Sequence, residues 1–346
     1  MLEPKFTYND RIVTRLVKIE ANKTAVQLLD LSNSIKAKLQ LNAKSHDIFY
    51  LAQLLGLEIQ TKDAERIVTG SNVDIQDERL QLLKNFKIVK EFTHSTAVDG
   101  YAEVDSPILT QLNRMLLNGV QRTEDLNFRA IYTENTPDKY DDWYELKNKA
   151  IENPEVDLAN VIDWYSNSTT TVTPLIRVGI IFYKLLDISP YNYGNKITTI
   201  AIVDYLLNKA GLSLKTYTSL AKNIYINFDR FVEAIRLSRN NNDMSAFVET
   251  FLDTLNKDLL DVREAVSDML LDDDKAKKQP FLDLNPRQLK ALRYLQTVPS
   301  IKREDYCHMM EVSTMTAFRD LNDLVDKNLL KIEGQGRGTK YRLASM

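Results

Sequence analysis

One short loop of the chain combines proline, glycine, asparagine and tyrosine at the start of a predicted helix. It runs from Ser189 to Asn195, between two apolar stretches with helical spacing, and it contains Tyr193 and is followed by Lys196. Backbone amides at the start of a helix bind anions, and phosphoryl-type transfer depends above all on neutralising and positioning charge. The loop has no histidine and no carboxylate, so it lacks a general base and a good ligand for Mg²⁺.

A second set of candidate residues, near the C-terminus, suits DNA binding. Ser313 is a good N-cap residue, so a helix is expected to begin directly after it, and in helix-turn-helix proteins the first turns of such a helix contact base edges. A glycine-rich hairpin tip further on, 334–338, is free of bulky neighbours and is expected to approach a phosphate or the minor groove. The candidate DNA-binding residues are Ser313, Thr314, Thr316, Arg319, Arg337 and Lys340.

Two apolar helices are predicted to position the central loop. Pro174–Leu186 is apolar nearly all round, which is typical of a helix buried in the centre of a bundle. It must end before Pro190, because proline removes a backbone donor and disfavours helix in the residue before it. Lys196–Lys209 is the second helix. Gly194 and Asn195 are expected to permit the tight turn and to cap that second helix, respectively.

Helical periodicity continues through most of the chain. The other predicted helices are Ile12–Leu31, Ser45–Leu57, Glu78–Phe92, Pro107–Leu117, Val156–Asn167, Thr216–Ser238 and Met244–Leu270. The C-terminal region is predicted to contain helices Pro286–Gln296, Lys302–Met310 and Ser313–Lys327, with Ala317, Phe318, Leu321 and Leu324 facing the core, and strands Leu330–Ile332 and Lys340–Leu343. Three helices and a two-stranded wing make a winged-helix domain.

The expected organisation is a mainly α protein with several parts. A chain of 346 residues exceeds the size at which one core usually stops growing, about 250 to 300 residues. We expect an N-terminal helical region at 1–100, a core with its closing helices at 101–271, a linker at 272–283 and a small winged helix-turn-helix domain at 284–346. The linker is indicated by opposed charge runs, few apolar residues and Pro280.

Composition favours a cytosolic protein. Hydrophobic residues make up 44% and charged residues 27% of the chain, which is typical of globular proteins. The single cysteine, Cys307, excludes an internal disulfide and a cysteine-based metal site. No apolar run is long enough to span a membrane, and no signal peptide is recognisable, so we expect no membrane partner. From Phe281 onward, 11 Lys and Arg stand against 8 Asp and Glu, so any nucleic acid is expected to bind there.

The central region, Thr173–Leu212, resembles the core of Fic-domain proteins. Their loop motif is H-P-F-x-D/E-G-N-G-R-x-x-R between two central helices, and this chain reads S-P-Y-N-Y-G-N-K-I-T-T-I. Ile108–Leu117, Val156–Trp164 and Phe247–Leu252 resemble further family segments, and the C-terminal region resembles the tail of many Fic-family proteins. The resemblance implies a Fic-fold helical domain and the transfer of AMP from ATP to a protein hydroxyl.

The chain departs from that family at the functional positions. Ser189 stands at the position of the histidine base, Tyr193 at the Mg²⁺-binding acid and Lys196 at the second glycine, while Ile197 and Ile200 replace both arginines. Loss of a general base costs about 10²- to 10⁴-fold in rate, and loss of a phosphate-clamping arginine costs about 10³-fold or more. The resemblance therefore implies a degenerate loop, with no intact catalytic residue, no metal site and no required cofactor.

Several readings of the loop stay open at this point. In one reading, the loop is kept only for its shape. In another, Gly194, Asn195 and Lys196 still bind a nucleotide or anion, since N-K-I-T resembles the N-K-R-T of Doc toxins, which move a phosphate. The expected function is a DNA-binding regulator or scaffold. The alternative is a Fic protein with altered nucleotidyl- or phosphotransfer to a protein hydroxyl, which would need ATP and Mg²⁺. A protein partner or self-association is also open, because winged helices also serve in protein binding. The net charge of +3 from Phe281 onward is modest for a strong DNA-binding domain.

Overall fold

Helices dominate the part of the chain that the structure describes. The computed structural model describes residues 3–29, 31–74, 77–99, 104–129, 152–212, 217–271, 284–296, 298–334, 336 and 339–344. These ranges form fourteen α-helices, one 3₁₀ helix (Thr123–Asp125) and two strands. They divide into two compact units. Unit 1 is Met1–Arg15 with Lys36–Asp258, and unit 2 is Leu16–Ile35 with Leu259–Met346.

The element bounds follow the predicted order. The elements are α1 Asp10–Gln27, α2 Asn33–Leu54, α3 Thr61–Thr69, α4 Arg79–Asp99, α5 Ser106–Leu117, α6 Pro154–Asn167, α7 Pro174–Ile188, α8 Asn195–Lys209, α9 Leu220–Ile226, α10 Phe228–Asn241, α11 Ser245–Leu271, α12 Pro286–Leu295, α13 Arg303–Met310, α14 Thr314–Asp326, β1 Leu330–Glu333 and β2 Lys340–Leu343. Helix α3 was missed, because it is short and buries only two side chains. The predicted single helix over 216–238 was wrong, because Asn227 ends α9 and begins α10.

Helix α8 lies at the centre of unit 1. Helices α4, α5 and α7 all pack against it. Within α7, every residue from Ile176 to Ile188 except Lys184 is buried, so the prediction of a helix buried in the centre of the bundle is confirmed. Burial of these apolar side chains is the main source of stability here, at roughly 1.5 to 3 kcal/mol for each large side chain.

An aromatic cluster fixes α7 against α10 and the first half of α11. Phe182 contacts Phe231, Phe247 and Phe251 with ring centroids 5.2 to 5.7 Å apart. Gly179 lets Phe251 approach the α7 backbone, because a Cβ at that position would lie only 2.9 Å from Phe251 Cδ1. Close packing of this kind makes the helix pair intolerant of added volume.

Unit 2 contains three helices that meet at one buried carboxylate. Asp320 on α14 accepts hydrogen bonds from Asn285, Arg287 and Tyr306, at 2.7 to 3.2 Å. Burial opposes the charge on Asp320, but these donors hold its pKa below its ordinary value. The carboxylate therefore ties α12 and α13 to α14.

A small antiparallel hairpin completes unit 2. Strands β1 and β2 pair from Leu330 opposite Leu343 to Glu333 opposite Lys340. Ile301 adds a third short segment, since its backbone exchanges two hydrogen bonds of 2.9 Å with Tyr341. The predicted strand positions agree with this register to within one residue.

Two predictions about the domain organisation stay predictions. The predicted linker, 272–283, lies outside the described residues, and the same status holds for the predicted domain bounds. Within the described ranges, no helix is both long enough and apolar enough to cross a membrane.

One buried acid should make the stability of the protein depend on pH. Asp258 is 3% exposed, and burial raises its pKa from 3.8 to about 7. Between pH 4 and 7 the unfolded chain loses this proton before the folded protein does, so stability falls as pH rises through that window. We expect Asp258→Asn to be more stable than the wild type at pH 8 by about 4 kcal/mol, with the difference nearly vanishing near pH 4.

Denaturant unfolding at several pH values measures this difference. Asp268→Asn is the matched control, because Asp268 is exposed on the same helix and should change stability little at any pH. A gain for Asp258→Asn that is equal at pH 4 and pH 8 would contradict the assignment.

Candidate functional site

The central loop is a tight turn whose two ends adopt left-handed backbone conformations. Helix α7 ends at Ser189, which has φ 42°, and α8 follows Gly194, which has φ 69°. A side chain at Gly194 would be strained by this φ, and its Cβ would also lie 3.3 Å from both Leu117 methyl groups. The prediction that Gly194 permits the turn is confirmed.

Asn195 closes the loop on itself. Its Nδ2 donates to the Tyr191 carbonyl at 2.7 Å, and its Oδ1 accepts from the Tyr191 backbone N–H at 2.8 Å. The prediction that Asn195 caps α8 was wrong, because Gly194 is the N-cap residue and Asn195 is the first helical residue. Its amide side chain is engaged by Tyr191 instead, and the residue is 2% exposed.

The residues at the expected catalytic positions are poorly placed for chemistry. Ser189 is fully buried, and its Oγ donates to the Leu186 carbonyl at 3.1 Å. Tyr193 is half-buried, and its side chain is a phenol and not a carboxylate. Burial also raises the pKa of Tyr191, so its hydroxyl stays protonated. The loop therefore provides neither a base near neutral pH nor a carboxylate for a metal ion.

The start of α8 is buried on all sides. Lys196, Ile197 and Ile200 are 5%, 2% and 1% exposed. The two isoleucines occupy the positions that the resemblance assigns to phosphate-binding arginines, and there they pack in the core. The first turns of α8 thus hold apolar side chains where a phosphate clamp would need exposed cations.

Asn113 supports the loop from α5. Its Nδ2 donates to the Tyr193 carbonyl and to Thr198 Oγ1, both at 2.9 Å. Sequence reasoning missed this residue. The available signal was a polar residue on the apolar face of α5, since its neighbours Leu112 and Leu116 are fully buried.

An extended segment, 127–129, supports the loop from the other side. Phe128 pairs with Tyr191 as an antiparallel bridge, and their rings stack with centroids 5.7 Å apart. The Arg129 backbone N–H donates to the Pro190 carbonyl at 3.0 Å, and its guanidinium donates to the Ile188 carbonyl. Sequence reasoning also missed Arg129, because its partners are about 60 residues away along the chain.

The predicted DNA-binding residues lie in unit 2. Ser313 caps α14 as predicted, and its Oγ accepts from the Thr316 backbone N–H at 3.2 Å. Thr314 and Arg319 are exposed, whereas Thr316 is half-buried and its hydroxyl contacts Ser313 Oγ at 3.0 Å. Lys340 is exposed at the start of β2, and Arg337 lies outside the described residues.

One prediction about the core of unit 2 was wrong. Ala317, Leu321 and Leu324 are fully buried as predicted, but Phe318 is 40% exposed. Phe318 lies next to the buried face of α14 and not on it, and the Arg303 guanidinium lies over its ring at 5.0 Å. With Met315, which is 62% exposed, it adds apolar surface beside Arg319.

The chain is similar to solved structures of Fic proteins. A Fic family protein from Desulfovibrio desulfuricans G20 matches with a TM-score of 0.61 and 17% identity, over 100% of this chain and 99% of that chain. Fic-1 from C. elegans matches with a TM-score of 0.60 and 13% identity, over 75% of this chain and 73% of that chain. A Fic domain containing signaling protein from Bacteroides thetaiotaomicron VPI-5482 matches with a TM-score of 0.56 and 13% identity, over 77% of this chain and 97% of that chain. No protein-family model and no curated protein matches the sequence.

At these identities the likeness establishes the fold. The predictions of a mainly α chain and of a Fic fold, made from the S-P-Y-N-Y-G-N-K segment and its flanking helices, are confirmed. The predictions for the individual loop residues and for Ser313, Thr314, Thr316, Arg319 and Lys340 as DNA contacts stay predictions.

The Asn195 contacts should matter for stability. Asn195→Ala removes both hydrogen bonds to Tyr191 and leaves buried backbone groups without partners, so we expect a loss of about 2 to 4 kcal/mol in the free energy of unfolding. Denaturant unfolding measures this loss. Asn241→Ala, at an exposed position at the end of α10, is the control and should change stability by less than about 0.5 kcal/mol. Equal stabilities for the two variants would contradict this account of the loop.

Proposed function

We propose that this Fic-fold protein is a DNA-binding regulator whose central loop is a structural turn and does not transfer nucleotides. The observation that carries the proposal is a contrast between two helix starts. The first turns of α8 are buried, whereas those of α14 are capped and largely exposed. Contact with a large partner requires exposed side chains, and only the second helix start offers them.

The loop geometry supports the loss of transferase activity. A transferase of this kind needs a base, a metal-bound phosphate and cations around the phosphates. Ser189 is buried against Leu186, and Ile197 and Ile200 are core residues. These positions serve packing, so the altered nucleotidyl- or phosphotransferase is the weaker alternative. Burial of Lys196 also argues against residual nucleotide binding, and neither ATP nor Mg²⁺ is required by the proposed function.

The geometry of unit 2 supports DNA binding by residues 284–346 as a winged-helix module. The Asp320 hydrogen bonds hold α14 against α12 and α13, so a rigid scaffold presents its exposed first turns. Thr314 and Arg319 have the hydrogen-bonding groups that read base edges. Lys340 on the hairpin suits a contact with a phosphate.

A protein partner is the second candidate for the same surface. Met315 and Phe318 are exposed beside Arg319, and methionine, aromatic and arginine side chains are enriched in protein interfaces. Both candidates use α14, so the test has to separate them by their dependence on nucleic acid.

DNA binding is tested by an anisotropy titration of the full chain with labelled double-stranded DNA at low salt. We expect salt-dependent binding that Arg319→Ala weakens by about tenfold, because a base contact is lost. Lys340→Ala should reduce the salt slope by about 1, because one phosphate contact is lost.

Lys62→Ala is the control for the loss of a positive charge, since Lys62 is exposed on α3 in unit 1. No affinity at low salt, or equal weakening by the Lys62 and Arg319 variants, would sink the DNA proposal. A protein complex that forms without nucleic acid and is lost when Phe318 is replaced would favour the second candidate.

Loss of transferase activity is tested with ATP and Mg²⁺. We expect the melting temperature to be unchanged by millimolar ATP·Mg²⁺, and no label to be transferred from ATP to protein in a cell lysate. Ser189→His should not restore transfer, because the position is buried and Tyr193 does not hold a metal ion. A saturable rise in melting temperature that disappears in Lys196→Ala would instead support nucleotide binding.

A further inference from the structure

Unit 1 contains a cavity whose lining residues do not include the central loop. Its volume is about 220 Å³, and it is lined by residues of α2, α3, α4 and α8 together with Thr218. An engineered apolar cavity of about 150 Å³ binds benzene, and pockets for drug-sized ligands have about 300 to 1,000 Å³. The cavity therefore suits a ligand somewhat larger than benzene.

Two acidic side chains and one lysine lie together in the lining of the cavity. Lys90 on α4 forms ion pairs with Asp47 and, at 3.1 Å, with Asp204. Burial alone would lower the pKa of Lys90, but the carboxylates of Asp204 and Asp47 raise it above its ordinary value, so the amine stays charged. Burial raises the pKa of Asp204, against the effect of Lys90. The side chains of Asp47 and Asp204 are 2% and 14% exposed, so a buried and a half-buried carboxyl group share one half-buried ammonium group.

The two carboxylates differ in the partners that they already have. Asp47 also accepts hydrogen bonds from Ser219 Oγ at 2.8 Å and from the Ala221 backbone N–H at 3.3 Å. Besides Lys90, Asp204 has only the long 3.5 Å contact with Asn208 Nδ2 as a hydrogen bond among the described residues. Asp204 is therefore the carboxylate with capacity for a further cationic donor.

Two further lysines line the cavity. Lys44 on α2 and Lys87 on α4 are half-exposed, and neither forms an ion pair within the described ranges. Glu91 also lines the cavity and is exposed. The lining thus holds, besides the Lys90 group, two uncommitted cations and one solvated carboxylate.

The rest of the lining combines apolar and polar side chains and includes an unsatisfied polar atom. Its apolar side chains are those of Ile48, Val68 and Phe86. His94 also lines the cavity, and its buried Nδ1 has no hydrogen-bond partner in the part of the chain that the structure describes. Buried polar atoms are nearly always hydrogen-bonded, so this atom calls for a ligand or an ordered water.

We propose that this cavity binds a small zwitterion with an apolar side chain, such as a free amino acid. Its ammonium group faces Asp204 and His94, its carboxylate faces Lys44 and Lys87, and its side chain lies along Ile48, Val68 and Phe86. A simple anion would leave the carboxyl groups of Asp47 and Asp204 unmatched. A simple amine would leave Lys44 and Lys87 unmatched. The site is independent of the proposed DNA-binding function.

The test is a titration of the full chain with each of the standard L-amino acids, by calorimetry and by the shift in melting temperature. We expect saturable binding of one or more apolar amino acids. The amino acid that binds best is then compared with its decarboxylated amine and with its deaminated acid. Each analogue should bind about tenfold more weakly or worse, because each lacks one charge-assisted contact.

Variants locate the site. Lys87→Gln and His94→Gln should each weaken amino-acid binding by about tenfold while the protein stays folded, as judged by circular dichroism. Lys84→Gln is the matched control, because Lys84 is exposed on the same helix and does not line the cavity. Val68→Trp should abolish binding by filling the cavity.

The proposal is overturned if none of the amino acids binds, or if either analogue binds as tightly as the parent. Equal loss of affinity in the Lys84 and Lys87 variants would overturn the assignment to this cavity.

Discussion

Helix α8 begins in the interior of unit 1, so its first turn must satisfy its polar groups without help from water. The first amides of a helix have no partner within the helix, and an unpaired buried polar group is costly. Around this helix start, Gly194 permits the turn, and the Asn195 side chain hydrogen-bonds the Tyr191 backbone in both directions. Asn113 and Arg129 then attach the loop to the surrounding elements. The loop is held as a closed structural unit.

The features that depend on local residue type were predictable from the sequence. The apolar character of 174–186 gave the buried position of α7, Pro190 marked its end, and Ser313 marked the start of α14. Each of these follows from a residue and its immediate neighbours. The Fic fold was predictable for the same reason, since Pro190, Gly194 and Asn195 keep the residue types that give the loop its shape.

The features that depend on distant residues could not be predicted in the same way. Asn195 was expected to cap α8, but its side chain meets Tyr191, and nothing in the local pattern distinguishes the two roles. Phe318 has helical spacing compatible with the core, yet it is 40% exposed and lies under the Arg303 guanidinium of the neighbouring helix. The ion pairs of Lys90 join α4 to α2 and α8, across 43 residues in the case of Asp47. No periodicity in the sequence reports such a pairing.

Under the proposed function, Ile197 and Ile200 serve the stability of the core. An arginine at position 197 or 200 would place a guanidinium group where isoleucine is now at most 2% exposed, and a buried charge without a partner is strongly unfavourable. Isoleucine at the same position contributes roughly 1.5 to 3 kcal/mol by burial. Phosphate-binding cations at a helix start repel one another and require an open cleft, which removes packing from the centre of the bundle. Isoleucine at these two positions lets α8 pack along its whole length, and arginine there would require the surrounding core to open.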